Sequence, residues 1–188
     1  MQALQSIQDF LKGVKMDSQR AALLTGVACA VGSVVVLVKK ISSHRKAEEK
    51  IRRAKNRREE SLQRGEQAVL RYKELHPTTD SAFILTLSLS ELTQQLKEGS
   101  LTPEDVLYSY MEKTLAVNKK LNCCTEILLE SLDQLTTVGS NKDGLLYGVP
   151  VSVKENITFK NHDCSCGVVI NLDQPAEKDS VLVQVLKK

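Results

Sequence analysis

Tryptophan is absent from this sequence, and other aromatic side chains are few, with four tyrosines and three phenylalanines among 188 residues. Proteins that bind single-stranded nucleic acid stack the bases on aromatic side chains. The chain has little material for such a platform, so we expect no nucleic-acid partner. It also has no internal repeat, and its length fits one modest domain with an appendage.

The five cysteines lack the spacing of a metal or redox site. Zinc sites and thioredoxin-like motifs use cysteine pairs with at least two residues between them. An odd number of thiols also argues against a disulfide framework. We therefore expect free thiols in a reducing compartment, with no metal and no cofactor. The alternative is a thiol nucleophile at Cys164 or Cys166 that His162 activates. The cysteines are Cys29, the adjacent pair Cys123 and Cys124, and the pair Cys164 and Cys166.

One apolar run, residues 21–38, has the length of a membrane-crossing helix. Its 18 residues carry no charge, with Arg20 before it and Lys39 and Lys40 after it. A cleaved signal peptide is the alternative. However, a tail of 20 residues precedes the run, and no small-residue cleavage pattern follows it. The sequence predicts a single-pass signal anchor, with the lipid bilayer as a partner.

The distribution of basic residues predicts the orientation of this anchor. Three lysines and arginines precede the run, whereas ten lie within residues 39–58. Lysine and arginine are in excess on the cytoplasmic side of membrane helices. We therefore expect residues 1–20 in a lumen or outside the cell and the C-terminal part in the cytoplasm, which would keep its thiols reduced. We expect a single-pass endomembrane protein, in the endoplasmic reticulum.

Residues 39–76 form a charged segment in which lysine, arginine, glutamate and glutamine predominate. The segment has no proline before Pro77, and Ile51, Leu62 and Val69 give it only a thin apolar stripe. This pattern predicts a basic helical stalk exposed to solvent. Its basic half has three interpretations: a solvated face that fixes topology, a surface for anionic lipid headgroups, or a nucleic-acid surface.

Residues 77–188 alternate helices and strands in a way that is typical of an α/β layered domain. Ser88 and Glu91 have the spacing of a capping box, and Thr102 and Pro103 mark the start of a second helix. The predicted fold class is α/β, with a sheet domain preceded by the transmembrane helix and the stalk. Further patterns indicate helices at residues 130–138 and from residue 180, a loop at 139–144, and strands at 123–129, 149–153 and 167–170.

The motif YGVPVSVKEN, residues 147–156, places one lysine at the end of an apolar run. The run has the pattern of a buried strand, because glycine and proline punctuate its start. Poor solvation at its end would favour the neutral form of Lys154, which can act as a base. The alternative is a lysine whose stem covers the core while its head stays in water.

Other polar residues near this motif carry weaker hypotheses. Ser152 shares a strand face with Lys154, which indicates hydrogen bonding and does not make it a nucleophile. Glu155 is expected to be a structural ion-pair partner. His162 and Asp163 are adjacent, whereas the members of a catalytic triad converge from separate parts of a chain. We therefore expect His162 to be an ordinary loop residue.

The motif resembles the strand that carries the catalytic lysine in the amidase signature family. The similarity extends to DGLLYGVPVSVKENITFKNHD, to SVLVQVLKK and, upstream, to LTPEDVLYSYMEKTLAVNKKLNC. It is greatest to the membrane-anchored members of the family, which cleave lipid amides. These enzymes use a lysine, a bridging serine and a nucleophilic serine. The resemblance implies that Lys154 is the general base in the hydrolysis of a fatty acid amide to a fatty acid and an amine.

The glycine- and serine-rich loop that supplies both serines in that family is not found in these 188 residues. We therefore expect the N-terminal part of such an enzyme, in which residues 77–188 are an incomplete amidase-signature domain without turnover of its own. For the complete enzyme the resemblance implies a lipid amide substrate and is compatible with a homodimer. Substrate-binding residues cannot be assigned. The alternative function is that of a catalytically silent, membrane-tethered interaction protein.

Overall fold

The computed structural model describes residues 17–138 and 142–187, and for residues 135–138 the backbone alone. The chain divides into two compact units, with the boundary between Glu48 and Glu49. Most of the predicted tail at residues 1–20 and part of the predicted loop at 139–144 lie outside the described residues.

Helix α1 runs from Ser18 to Leu75. Its part before Glu49 makes up nearly all of the described residues of the first unit. By length and composition this helix could cross a membrane, and none of its apolar window is buried. The hydroxyl of Thr25 donates to the Ala21 carbonyl at 2.9 Å. The hydroxyl of Ser33 donates to the Cys29 carbonyl at 2.8 Å. Because an apolar medium penalises unpaired polar groups, these internal hydrogen bonds suit a helix in a bilayer.

The second unit combines the C-terminal part of α1 with several shorter helices. The predicted helices at residues 130–138 and from residue 180 are confirmed. In chain order the elements after α1 are α2 Ser81–Ile84, α3 Leu89–Glu98, α4 Pro103–Leu121, α5 Glu130–Val138, a 3-10 turn Val169–Asn171 and α6 Val181–Leu186.

Capping side chains fix the starts of α3 and α4. The Ser88 hydroxyl accepts from the Glu91 amide at 3.3 Å, and the Glu91 carboxylate accepts from the Ser88 amide at 2.8 Å. The Thr102 hydroxyl accepts from the Asp105 amide at 3.1 Å, with Pro103 in the first turn. These hydrogen bonds satisfy amides that have no partner inside the helix. Both predicted helix starts are confirmed.

Two hydrophobic clusters hold the helices of the second unit together. Helix α4 contributes to both, so it is the central element of this unit. Full burial of an aliphatic side chain stabilises a fold by about 1.5–3 kcal/mol. The first cluster contains Ile84, Leu92, Leu96 and Val106, and the second contains Val69, Met111 and Leu115.

The first cluster also fixes the beginning of the YGVPVSVKEN motif. Tyr147 and Val149 pack against it. Gly148, between them, has a φ of 71°. A Cβ atom at Gly148 would lie 3.0 Å from Pro103 Cγ and 3.1 Å from Leu96 Cδ2. Only glycine suits both this backbone conformation and this close approach, so the motif is anchored where α3 and α4 meet.

The C-terminal part of α1 belongs to the packed unit, which begins at Glu49, within the predicted stalk. Val69 and Tyr72 are only 6% and 7% exposed. A Cβ atom at Gly65 would lie 3.2 Å from Ile127 Cγ1, so the helix closely approaches residues 123–129. Most side chains of residues 39–76 are exposed or half-buried, but this face of the helix packs inside the second unit. Val69 is buried and Leu62 is half-buried, because α4 and this neighbouring segment cover them.

The described residues contain no β-strand, so the predicted layered sheet is not confirmed. Residues 123–129 are hydrogen-bonded to α1 and not to a partner strand. The Ser61 hydroxyl accepts from the Ile127 amide at 2.9 Å and donates to the Ile127 carbonyl at 3.0 Å. A strand needs regular pairing of its backbone groups with a neighbouring strand. Here the Ser61 side chain of α1, and not a neighbouring strand, makes the hydrogen bonds to the Ile127 backbone.

The other two predicted strands are also not strands. Residues 149–153 have no strand partner within the described part of the chain. Residues 167–170 run into the 3-10 turn, and the Asn171 amide donates to the Val168 carbonyl at 3.1 Å. Local turn bonds therefore replace a sheet ladder. Sheet-like pairing in the described residues is limited to isolated bridges of Lys160 with Ala176 and Asp163 with Pro175.

Candidate active site

Lys154 ends a segment without regular secondary structure, residues 149–154, and its side chain is exposed. Its backbone carbonyl accepts a hydrogen bond from the Ile157 amide at 2.9 Å, which closes a turn directly after it. Val151 is 48% exposed, and Ser152 is exposed as well. The buried strand end predicted from the sequence is therefore not found, and the described residues do not supply the expected desolvation. The role of Lys154 as a general base stays a prediction.

Glu155, the next residue, binds backbone amides. One carboxylate oxygen accepts from the Ser165 amide at 2.5 Å, and the other accepts from the Cys166 amide at 3.0 Å. The ion-pair role expected from the sequence is wrong, because these acceptor sites are used by a turn ten residues further along the chain. Sequence spacing gave no signal for this contact.

His162 lies between two carboxylates. Its Nδ1 is 2.9 Å from Glu126 Oε1, and its Nε2 is 2.5 Å from Glu130 Oε1. Both ring nitrogens can donate only when the imidazole is protonated. Burial opposes the charge, but the hydrogen bond to Glu130 and the negative charge of Glu126 outweigh it and raise the pKa of His162. The protonated form of His162 therefore ties its loop to α5 and to the segment before it.

Asp163 is bound to α1 and to its own loop. Its carboxylate accepts from Arg57 at 2.8 Å and from the amides of Asp173 at 2.9 Å and Gln174 at 2.8 Å. The ring nitrogens of His162 are meanwhile occupied by two glutamates. The adjacent histidine and aspartate therefore serve separate contacts and form no triad.

We expect the second unit to lose stability as the pH rises through the raised pKa of His162. The unfolded histidine has a pKa of about 6.5, so its contribution is fully present below that pH and disappears above the folded pKa. His162→Gln should flatten this dependence of the free energy of unfolding, measured by urea titration between pH 5.5 and 8.5. His44→Gln, in the exposed part of α1, is the matched control and should leave it unchanged. An unaltered pH dependence in His162→Gln would contradict the assignment.

Basic residues of α1 hold the C-terminal segment of the second unit. Arg53 and Arg57 bind the Asp173 carboxylate at 2.7 and 2.6 Å. Lys50 Nζ donates to the Leu172 carbonyl at 2.8 Å. Hydrogen bonds from the two guanidinium groups hold the pKa of Asp173 below its usual range. From the sequence, these cations were expected to face solvent, anionic lipid headgroups or nucleic acid. Their spacing does place them on one helix face, but it does not indicate Asp173 as the partner.

The Cys166 thiol near the motif lacks activation. Cys164 is half-buried and Cys166 is exposed. Partial desolvation, the neighbouring Cys164 and the Glu155 carboxylate raise the pKa of the Cys166 thiol. A nucleophilic cysteine needs a lowered pKa, so the alternative of a nucleophile at Cys166 has no support here. Among residues 17–138 and 142–187, no group of three histidine, cysteine or acidic side chains could hold a metal ion.

Two clefts of the second unit have walls that do not include Lys154. One, of about 280 Å³, lies between the end of α1 and α4 and is lined in part by Tyr72 and Ser109. The other, of about 500 Å³, lies between α1 and α5 and is lined in part by Arg71 and Leu132. Neither can be assigned as a substrate site of the Lys154 chemistry.

Known proteins resemble this chain over most of its length. It is 46% identical over 166 residues to vitamin D3 hydroxylase-associated protein of Gallus gallus, a match that covers 88% of this chain and 36% of the relative. It is 40% identical over 166 residues to fatty-acid amide hydrolase 1 of Sus scrofa, covering 87% of this chain and 28% of the relative. It is 25% identical over 168 residues to fatty acid amide hydrolase 1 of Caenorhabditis elegans, covering 86% and 29%.

The chain thus spans about a third of the length of the curated relatives it matches. Residues 105–188 match the family model described as Amidase, and this segment includes the whole YGVPVSVKEN motif. The resemblance inferred from the sequence is therefore confirmed. Residues 105–188 thus resemble part of an amidase domain, and the chain is similar over most of its length to proteins that include a fatty-acid amide hydrolase.

Proposed function

We propose that these residues are the N-terminal part of a membrane-anchored, serine-type hydrolase of fatty acid amides. The observation that carries the proposal is the 40% identity to a fatty-acid amide hydrolase over 166 residues. That alignment is nearly twice as long as the family segment 105–188, so the similarity also covers much of α1. The reaction would convert a fatty acid amide and water to a fatty acid and an amine.

Lys154 is the proposed general base. Amide hydrolysis needs a nucleophile, a base that activates it, and donors for the tetrahedral oxyanion. In the family that this chain resembles, a neutral lysine takes a proton from a bridging serine, and that serine deprotonates the nucleophile and later helps to protonate the leaving amine. Lys154 occupies the position that matches the family lysine. Its exposed side chain is free to meet serines from other parts of a complete domain.

The Lys154 side chain is exposed in the described residues. Other parts of a complete domain would therefore have to remove it from water. A lysine in water is almost entirely protonated at neutral pH and cannot accept a proton. Covering the exposed Val151 and Lys154 with further parts of the domain would favour the neutral amine. The exposed apolar side chains of α6, Val181 at 76% and Val185 at 60%, are suited to the same covering layer.

Helix α1 is the proposed anchor. Its apolar run would hold the protein in an endomembrane, in the endoplasmic reticulum, with the C-terminal part in the cytoplasm, as the excess of lysine and arginine after residue 38 indicates. Long-chain amides partition into a bilayer, so an anchor keeps the enzyme where its substrate is concentrated. We further propose that the complete enzyme can form a homodimer.

Labelling with a serine-directed fluorophosphonate tests the proposed chemistry. The 188 residues supply a base but not the glycine- and serine-rich loop, so we expect them to remain unlabelled and without amidase activity when purified in detergent. The full-length protein should be labelled and should release free fatty acid from a long-chain amide. Strong labelling of the 188-residue chain, or an unlabelled and inactive full-length protein, would overturn the proposal.

A further inference from the structure

The residue after Lys154 is held by a bidentate contact with the backbone. Glu155 is half-buried, and its two oxygens accept from the consecutive amides of Ser165 at 2.5 Å and Cys166 at 3.0 Å. Hydrogen bonds to an ionised carboxylate are roughly twice as strong as neutral ones. One side chain thus ties the Lys154 segment to a turn about ten residues away.

The turn that receives Glu155 has the geometry of an anion site. Cys166 and Gly167 have φ values of 52° and 76°. Consecutive amides around such left-handed residues form a concave site for an anion. Ser165 is buried, and its hydroxyl accepts from the Gly167 amide at 3.2 Å. The Glu155 carboxylate occupies this concavity, which offsets the cost of a left-handed conformation at a residue other than glycine.

The backbone on both sides of Lys154 is therefore fixed. Upstream, Tyr147 and Val149 pack against the first cluster. Downstream, the Lys154 carbonyl accepts from the Ile157 amide at 2.9 Å, and Glu155 is bound to the turn. The Glu155 carboxylate is held against the turn, whereas the Lys154 side chain is exposed.

We infer that Glu155 is a positioning residue that holds Lys154 in the place where its amine acts as a base. This inference rests on the proposed function. Glu155 is not itself a reacting group, because both of its oxygens are occupied by amides. It acts through the backbone of its neighbour, and a displacement of about 1 Å at a reacting group can cost on the order of 100-fold in rate.

The test compares Glu155→Gln with Lys154→Met in the full-length protein. Glutamine keeps the shape but directs an NH₂ group at one of the two donor amides and removes the charge. We expect kcat, counted per fluorophosphonate-labelled site, to fall about 10- to 100-fold with KM changed less than about twofold. Lys154→Met should lose hydrolysis altogether. Glu177→Gln makes the same chemical change at an exposed glutamate of the second unit. This matched control should retain wild-type kcat.

Amide hydrogen exchange provides a readout that is independent of activity. In the 188-residue chain, Glu155→Gln should accelerate exchange at Ser165 and Cys166 at least about tenfold, because each amide loses a charged acceptor. Unchanged exchange, or an unchanged kcat in a protein that Lys154→Met inactivates, would overturn the inference and leave the proposed function intact. Full activity of Lys154→Met would overturn the proposed function, and the inference with it.

Discussion

Replacing Lys154 with methionine is expected to abolish amide hydrolysis by the full-length protein while leaving its fold intact. Methionine keeps an unbranched stem and removes the amine that would accept the proton. A general base alone contributes about 10²–10⁴-fold to the rate. We expect a loss at or beyond the upper end of that range, because a base and two serines that act as a unit fail together. The assay is kcat/KM for a long-chain fatty acid amide.

The exposure of Lys154 separates this chemical effect from a structural one. Because its side chain is exposed, Lys154→Met should change the free energy of unfolding by less than about 0.5 kcal/mol. Lys178→Met, which removes the same charge at another exposed position, should keep wild-type activity. Hydrolysis at the wild-type rate by Lys154→Met would show that a different group is the base.

Two arginines in the apolar run should release the chain from membranes. Val31 and Val35 lie within the uncharged run of α1 and are 58% and 47% exposed, so neither is needed for packing in the described residues. An arginine at the centre of a membrane helix costs about 2.5–3.5 kcal/mol on insertion scales. Val31→Arg together with Val35→Arg should therefore move the protein from the pellet to the supernatant after alkaline carbonate extraction.

The matched control replaces the same two valines with leucine, which keeps the run apolar and should keep the protein in the pellet. The second unit, from Glu49 onward, carries its own clusters, so the arginine variant should unfold in urea at the same midpoint as the control. Extraction of the unaltered chain by carbonate would mean that residues 21–38 do not span the bilayer.

Helix starts were predictable because their signals are local. Ser88 and Glu91 lie three residues apart, and the capping box that they form depends only on the backbone between them. The same holds for Thr102 and Pro103. The apolar run of α1 is likewise a property of consecutive residues. Strand formation is different, because residues 123–129 meet the Ser61 side chain of α1, and nothing in their own sequence indicates that partner.

The sequence by itself determined the resemblance to amidases, through the motif around Lys154, and the starts of α3 and α4, through their caps. Only the tertiary structure decided the partners of Arg53, Glu155 and His162. Arg53 meets Asp173 from 120 residues away, and His162 meets Glu126 from 36 residues away. Spacing along a chain sets which neighbours share a helix face or a turn, whereas such distant pairs depend on how the packed clusters bring segments together. Arg53, which the sequence places in an exposed basic segment, therefore forms an ion pair within the second unit.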